Sequence, residues 1–318
     1  MLCKNYPLIS GQGEWRISLL PSSYSGTASL APISLFIFSF NMRRFAIKLL
    51  MFVFVFLLIT IPVDIAKTNS KRYTATINGS EIYCAINKSY TNKKVKKLLL
   101  GDSVGHQLYP CENEYDSIVS LACNQAITMA GHYFLLKNYI ETNADNLPDE
   151  VVMLIIPFTL CNDVDLYAYH YFLKPFSPNK WGEQYTDHLR QRIHSIPFYW
   201  SANLPFIQTS NYTPTWATPS SVTTKSVSRL SYEYLLKIDS ITKHHDISFR
   251  LVSPPLREDK QNTIDSIWSN LRPEYAVQLD ALLQPYIESE VFVSSDNFID
   301  FAHFLSDKTP VDYLHVLN

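Results

Sequence analysis

The stretch KKLLLGDSVGHQLYP, Lys96–Pro110, decides how this chain of 318 residues is organised. A run of apolar residues ends in Gly101-Asp102-Ser103, and a segment with helical spacing comes directly after it. An α/β protein places a serine in this way at the carboxyl end of a parallel strand. Such sheets gather their ligands there, and the N–H groups at the start of the next helix favour an anion. Ser103 is therefore the candidate nucleophile.

Composition argues against some classes of function. The chain is 47% hydrophobic and 18% charged, with a formal net charge of -2. It therefore has no basic field that would hold nucleic acid, and we expect no nucleic-acid partner. Glycine is scarce, at 8 residues, yet Gly101, Gly105 and Gly131 fall close together. We expect these glycines to mark backbone that turns tightly or approaches a ligand closely.

A membrane-directed segment comes early in the chain. Arg43, Arg44 and Lys48 precede an uncharged apolar run, Leu49–Val63. Its length suits either a signal-peptide core or a short membrane span. Asp64 stands where cleavage requires small residues, so the pattern favours an uncleaved anchor over a cleaved signal. A buried core helix is disfavoured, because such helices seldom begin with a basic cluster.

The chain divides into four predicted parts. Residues 1–41 are an upstream extension or a cytoplasmic tail, since Met42 has the layout of an initiator. Residues 42–66 are a transmembrane signal anchor, residues 67–92 a polar stalk, and residues 93–318 a catalytic domain. Because the positive charges precede the apolar run, we expect a single-pass membrane protein with an extracytoplasmic domain, periplasmic or on the cell surface if the source is bacterial.

Strand and helix patterns alternate beyond the GDS stretch. The near-continuous apolar run VVMLIIPF, Val151–Phe158, is the strongest strand signal, as a strand covered on both faces requires. Further strands are predicted at Ser117–Cys123 and Ile247–Pro254, and helices at His132–Ile140, Gly182–His194, Leu230–His244 and Pro273–Gln284, the last ended by Pro285. The predicted fold is a three-layer α/β/α domain with a mostly parallel, flavodoxin-like central sheet, preceded by one N-terminal transmembrane helix.

The cysteine and histidine spacings do not predict a metal site. The exported side carries four cysteines, which allow one or two disulfides or buried free thiols: Cys84, Cys111, Cys123 and Cys161. Their spacing matches no zinc pattern. His244-His245-Asp246 is interpreted as a charged helix end, and Asp163, Asp165 and His170 lack ligand spacing. We expect neither a metal nor a cofactor.

A long aromatic excursion interrupts the strand and helix patterns at Ile196–Lys225. Loops of this length in compact domains are usually functional or disordered. Its aromatic residues either stack on sugar rings, line an acyl pocket or pack against the flank of the sheet: Phe198, Tyr199, Trp200 and Trp216.

A carboxylate precedes a histidine by three residues near the C-terminus, at Asp300 and His303. This spacing lets the carboxylate hold the imidazole tautomer while the far nitrogen reaches a serine. A second such pair, Asp312 and His315, lies almost at the chain end, where fraying makes precise positioning harder. We therefore favour Asp300 and His303.

The order of these blocks over residues 95–306 resembles the SGNH (GDSL) hydrolase family. The resemblance implies Ser103 as nucleophile, His303 as base and Asp300 as its orienting carboxylate. It also implies an oxyanion hole formed by Ser103, Gly131 and Asn162. The third block of the family usually has the form Gly-x-Asn-Asp, and here Asn162 lacks that preceding glycine.

The function implied by the resemblance is acyl transfer through a serine ester. The expected substrate is an acylated glycan or cell-envelope polymer carrying a short acyl group, such as acetyl. The enzyme would be either a hydrolase or an O-acyltransferase. Two alternatives remain open: a lipase-like esterase, and a non-catalytic glycan-binding or assembly protein that keeps the fold.

Overall fold

The structure is a computed structural model that describes residues 31–69, 80–124, 127–164, 172, 175–176, 181–197, 199 and 226–309. Some residues singled out in the sequence lie outside these ranges: Phe198, Trp200, Trp216, Asp165, His170, Asp312 and His315.

The described helices and strands, each set numbered in chain order, have the following bounds. The helices are α1 (Ala31–Asn69), α2 (Ser80–Ser89), α3 (Ser103–Leu108), α4 (Thr128–Thr142), α5 (Pro157–Leu160), α6 (Asp187–Ser195), α7 (Arg229–His244), α8 (Gln261–Ser269) and α9 (Pro273–Glu288). The strands are β1 (Lys97–Gly101), β2 (Ile118–Ser120), β3 (Glu150–Leu154), β4 (Ser248–Val252), β5 (Leu256–Arg257) and β6 (Phe292–Val293). Short 3₁₀ turns lie at Gly182–Gln184, Glu258–Lys260 and Ser295–Asn297.

A four-stranded parallel sheet is the centre of the fold, with the strand order β2-β1-β3-β4. Lys97 of β1 lies opposite Ile118 on one side and opposite Glu150 on the other. β2 therefore pairs with one edge of β1, and the chain then crosses over so that β3 pairs with the other edge of β1. The carboxyl ends of β1 and β3 form the point where strand order reverses, which is where open α/β sheets bind ligands. The predicted α/β class and parallel sheet are confirmed.

Both faces of the sheet are buried, which explains the near-continuous apolar sequence of β3. Val151 and Met153 contribute to the main hydrophobic core on one face. Val152 and Leu154 belong to a second apolar cluster on the other face. Because side chains alternate along a strand, a strand that is polar at every second position could not fill both clusters. Helices α4, α7 and α9 pack beside the main core, with α7 and α9 contacting β4.

Helix α1 is long and apolar enough to cross a membrane. Its stretch Met42–Val63 has 22 residues, a mean hydropathy of 2.6 and no buried share. Twenty-two residues rise about 33 Å in a helix, and a bilayer's hydrocarbon core is about 30 Å thick. The uncharged part alone, Leu49–Val63, is shorter than the helical stretch that surrounds it, because the helix continues at both ends. It is the one such helix among the described residues.

Helix α9 differs from its prediction. The helix continues through Pro285 to Glu288, so the prediction that Pro285 ends it is wrong. Pro285 lies in the last turn of α9, so a kink at this proline would displace only the few helical residues that follow it. The buried Tyr286 holds this turn in place, because its hydroxyl donates to the Ile155 carbonyl, 2.8 Å away, just beyond β3.

Part of the segment interpreted as a stalk is helical and packed. Ile82 and Ala85 of α2 are buried in the main core. Asn138 of α4 donates from its side-chain amide to Ser89 Oγ at 3.2 Å. The structure therefore differs from the stalk interpretation over residues 80–89, because apolar packing and a hydrogen bond hold this helix against the domain.

The four cysteines in the part of the chain that the structure describes form one disulfide and leave two free thiols. Cys84 of α2 and Cys111, in the loop after α3, form a disulfide with 6.5 Å between their Cα atoms. Cys123 and Cys161 are free and buried. Burial raises the pKa of Cys161 to about 12, so this thiol is neutral and unreactive at physiological pH.

His132 of α4 is an unusual core residue. It is fully buried, and neither ring nitrogen has a hydrogen-bond partner among the described residues. Burial lowers the pKa of His132 to about 3, so the ring is neutral in the folded protein. An unfolded chain would bind the proton near pH 6.5.

This difference predicts a pH-dependent stability. The contribution of His132 is fully present above about pH 6.5, and it is lost as the pH falls from there towards about 3. Between pH 7.5 and 5, protonation of the unfolded state should remove about 2 kcal/mol of unfolding free energy, and His132→Phe should abolish that loss. Urea unfolding of the full-length protein in detergent at both pH values measures it. The exposed His244→Phe is the control, and an unchanged pH dependence in His132→Phe would refute the assignment.

Candidate active site

Helix α3 starts at Ser103, directly after β1, and lies hard against the end of β3. A Cβ on Gly101 would lie 2.8 Å from the Leu154 carbonyl oxygen, and one on Gly105 would lie 2.6 Å from the same atom. Real Cβ atoms do not approach so closely, and the neighbour is backbone that cannot move aside cheaply. Gly101 and Gly105 therefore let α3 approach the backbone of Leu154, whereas the expected close approach to a ligand stays a prediction.

The side chain of Asp102 holds the start of α3 against the segment that follows β3. It is fully buried and caps α3, with Oδ1 accepting from the N–H groups of Val104 and Gly105 at 3.0 and 3.1 Å. Its Oδ2 accepts from the Ile156 N–H at 2.9 Å and from Thr159 Oγ1 at 2.5 Å. One side chain therefore joins the start of α3, which carries Ser103, to the turn after β3.

The surroundings of Asp102 suit a carboxylate. Burial raises the pKa of Asp102, while hydrogen bonds from Thr159, Ile156 and Gly105 act against that rise. A carboxylate accepts at both oxygens and donates at neither. The four donors that converge on Asp102 match this pattern.

Ser103, His303 and Asp300 lie in one hydrogen-bonded chain. His303 Nε2 is 2.9 Å from Ser103 Oγ, and His303 Nδ1 is 2.8 Å from Asp300 Oδ2. Asp300 Oδ1 also accepts from the backbone N–H groups of Ala302 and His303, each at 2.7 Å. The structure thus brings together the three residues that the sequence proposed as nucleophile, base and orienting carboxylate, although 200 residues separate serine and histidine.

The protonation pattern is set by Asp300. Burial acts to raise the pKa of Asp300, but hydrogen bonds from the His303 ring and from the His303 and Ala302 backbone outweigh it and lower the pKa. An ionised Asp300 can only accept, so Nδ1 of His303 is assigned the proton. Nε2 is then left as an acceptor for the hydroxyl of Ser103. This is the tautomer that general-base catalysis needs.

Asn162 lies in the turn beyond α5, at the same carboxyl edge of the sheet as Ser103. Its N–H donates to the Thr159 carbonyl at 3.2 Å, and its carbonyl accepts from Ser228 Oγ at 2.7 Å. Ser228 in turn caps α7, where its Oγ accepts from the Ser231 N–H. The backbone of Asn162 is therefore held from two elements, while the role of its side chain as an oxyanion donor stays a prediction.

Gly131 lies inside α4 rather than at a strand end. A Cβ there would meet the side chain of Ile127 at 2.8 Å and that of Phe176 at 3.0 Å. Packing within the aromatic core thus accounts for this glycine, and its oxyanion role stays a prediction without support from its surroundings. Asn124 lies closer than Gly131 to the end of β2. The N–H of Cys123, the residue before Asn124, still donates to the carbonyl of Gly101 in the neighbouring strand β1, at 2.9 Å.

Metal ligands are sparse among the described residues. One group of His, Cys, Asp or Glu side chains there is close enough to share an ion, and it consists of Cys84, Cys111 and Glu112. Its two sulfurs are bonded to each other, and so they offer no thiolate. His244 and His245 lie at the end of α7 with ring centroids 5.0 Å apart.

Sequence reasoning missed three contributors to the site. Asp102 carried one usable signal, because an aspartate just before a helix is a common N-cap. Thr159 and Gln107 carried none, since their roles come from partners far away in the chain. Gln107 forms two hydrogen bonds with the backbone of Phe304, 197 residues later.

The Asp102 junction yields a stability prediction. In Asp102→Asn the amide remains a good N-cap, but its NH₂ group would face the N–H of Ile156, leaving a buried donor unpaired. We expect a loss of about 1–3 kcal/mol in unfolding free energy, measured by urea unfolding. Asp116→Asn, at an exposed position, should change stability by less than about 0.5 kcal/mol. Equal effects of the two substitutions would contradict the junction.

Comparisons with known proteins add no assignment to this site. No family model, no curated protein and no solved structure matches the chain. The observations that bear on function are the contacts of Ser103, His303 and Asp300, together with the apolar helix α1.

Proposed function

We propose that this chain is a serine-dependent acyl ester hydrolase or O-acyltransferase of the SGNH (GDSL) type. In this proposal the sheet and its flanking helices form a three-layer α/β/α domain. The substrate is an acylated glycan or another cell-envelope polymer, and the acyl group is short, such as acetyl.

The observation that carries the proposal is the hydrogen-bonded chain from Ser103 through His303 to Asp300, with distances of 2.9 and 2.8 Å. Hydrogen bonds of this length are common, but this order of hydroxyl, imidazole and ionised carboxylate is what activates a serine. Its position at the reversal of strand order adds support, because ligands of open α/β sheets bind there.

The first half of the reaction acylates the enzyme. Ser103 Oγ attacks the ester carbonyl carbon as its proton passes to His303 Nε2. Asp300 stabilises the resulting imidazolium through Nδ1–H. The N–H of Ser103 has no acceptor within α3, because Ser103 is the first residue of that helix. It can donate to the oxyanion, together with Asn162. The intermediate then breaks the bond to the alcohol, which leaves with the proton from His303.

The second half regenerates the serine. A water molecule or a hydroxyl group of an acceptor sugar gives its proton to His303 Nε2 and attacks the acyl carbon. The second tetrahedral intermediate then releases Ser103, which recovers its proton. Attack by water completes hydrolysis, and attack by a sugar hydroxyl completes transfer. The same residues serve both outcomes, so the acceptor that reaches the site decides between them.

The polymer substrate is inferred from the membrane-directed segment. An enzyme fixed at a membrane acts on material that is assembled or displayed there. Arg43, Arg44 and Lys48 lie on the N-terminal side of the apolar run, which favours export of the C-terminal domain. The Cys84–Cys111 disulfide supports the same topology, because disulfides persist in oxidising compartments.

Full-length protein in detergent should react with a fluorophosphonate probe and release acetate from an acetylated glycan or an aryl acetate. Ser103→Ala and His303→Ala should each lower turnover by at least about 10³-fold. The double variant should be little worse than either, since triad members act as a unit.

His315→Ala is the matched control, because it removes the histidine of the second Asp-x-x-His pair, and it should leave turnover close to wild type. Loss of activity in His315→Ala but not in His303→Ala would make the second pair catalytic. Preference for long acyl chains would favour a lipase-like esterase. Glycan affinity without probe labelling or turnover would favour a binding protein.

The proposed topology is tested separately. The protein should remain in the membrane pellet after alkaline carbonate extraction, because a 22-residue apolar helix holds it in the bilayer. An epitope at the C-terminus should be cleaved by protease added outside the cytoplasmic membrane, to intact cells for a surface domain or to spheroplasts for a periplasmic one. A soluble mature chain beginning near Lys67 would show instead that the segment is a cleaved signal.

A further inference from the structure

The segment that carries Asp300 and His303 is a compact unit with its own hydrogen bonds. We define the histidine loop as residues 297–305. The Leu305 N–H donates to the Asn297 carbonyl at 2.8 Å, and the Ile299 N–H donates to the His303 carbonyl at 2.9 Å. The rings of Phe298 and Phe304 stack with centroids 4.7 Å apart. Together with the turn capped by Asp300, these contacts fix the carboxylate and the imidazole relative to each other.

These internal contacts do not fix the loop relative to the nucleophile. Ser103 belongs to α3, so a shift of the loop as a unit would preserve the Asp300–His303 bond while it broke the bond to Ser103. The site therefore needs contacts that join the histidine loop to α3. Apolar packing of Val104 against Phe298 and Phe304 supplies one, but such packing is non-directional and tolerates small slides.

Gln107 supplies a directional contact. Its Nε2 donates to the Phe304 carbonyl at 2.8 Å, and its Oε1 accepts from the Phe304 N–H at 3.0 Å. An amide that donates and accepts against one residue's backbone resists both sliding and rotation, whereas a single bond would act as a pivot. Gln107 lies four residues after Ser103 in α3, so both side chains leave the same face of the helix. Phe304 is the residue directly after His303.

We propose that Gln107 is the positioning residue that holds His303 at hydrogen-bonding distance from Ser103. The circuit from Ser103 along α3 to Gln107, across to Phe304 and back through His303 is short and closed. It leaves little freedom for the distance between Oγ and Nε2. In this role Gln107 acts through His303 and touches no substrate. The expected effect of Gln107 on the reaction rate rests on the proposed function, whereas its effect on the position of His303 does not.

The first test measures reactivity in the full-length protein in detergent. Gln107→Met keeps the side-chain length but removes both hydrogen bonds, and should slow fluorophosphonate labelling about 10- to 100-fold, as small misplacements of catalytic groups do. Gln107→Glu still accepts from the Phe304 N–H but sets a carboxylate oxygen against the Phe304 carbonyl, so it should also label more slowly than wild type. Gln284→Met is the control, because Gln284 lies on α9 and donates to Glu288 of the same helix at 2.8 Å; it should label at the wild-type rate. An unchanged rate in Gln107→Met would overturn the proposal.

The second test does not depend on activity. In ¹⁵N-histidine-labelled protein, the His303 Nε2 resonance should move in Gln107→Met as it does in Ser103→Ala, with no further change in the double variant. The low-field Nδ1–H signal should stay, because the histidine loop keeps its own contacts. If Nε2 does not move, or if Nδ1–H is lost as well, Gln107 does not position His303 and the proposal fails. If wild-type protein is not labelled at all, the proposed function fails while the resonances still decide the role of Gln107.

Discussion

The carboxylate of Asp102 is the interaction on which the rest of the site depends. It ties the first turn of α3 to the turn beyond β3, at the point where the order of strands reverses. Such a junction is possible only because Gly101 and Gly105 let the helix reach the backbone of Leu154. A buried acceptor with four donors can satisfy all of them in one geometry alone. Through Asp102, the sheet therefore fixes the orientation of α3 and of Ser103 at its start.

The remaining polar chemistry is divided between two bodies that meet at Ser103. One is the sheet with α3, and the other is the histidine loop with its capped Asp300 turn. Arg257 also reaches the loop, where its guanidinium donates to the Asp300 carbonyl at 2.6 Å. The ionised state of Asp300 and the tautomer of His303 are set within the loop. The sheet and α3 position Ser103 and the surface on which the loop packs, so the charge state of the loop and its placement are controlled by different parts of the chain.

Local patterns predicted the strands of the central sheet and singled out Ser103, His303 and Asp300, which the structure brings together. They did not predict the contacts between distant segments. β3 was predictable because both its faces are buried, which requires a near-continuous apolar sequence. Ser103 and His303 lie in short sequence motifs, Gly-Asp-Ser and Asp-x-x-His. Gly131 was chosen from its position along the sequence, whereas the structure explains it by the packing of α4. Thr159 and Gln107 have no local signature, since their partners lie 57 and 197 residues away. Pairings of that kind are decided by the fold as a whole.

The separation of 200 residues between Ser103 and His303 also orders events during synthesis. The sheet strands, from β1 to β4, lie within Lys97–Val252 and can pair before the histidine loop has been made. Contacts so far apart in sequence are slow to form, because a long loop must close first. In a nascent chain, Ser103 and the sheet can therefore be in place before Asp300 and His303 have been synthesised. The hydrogen bond between Ser103 and His303 is thus among the contacts that the order of the elements along the chain delays.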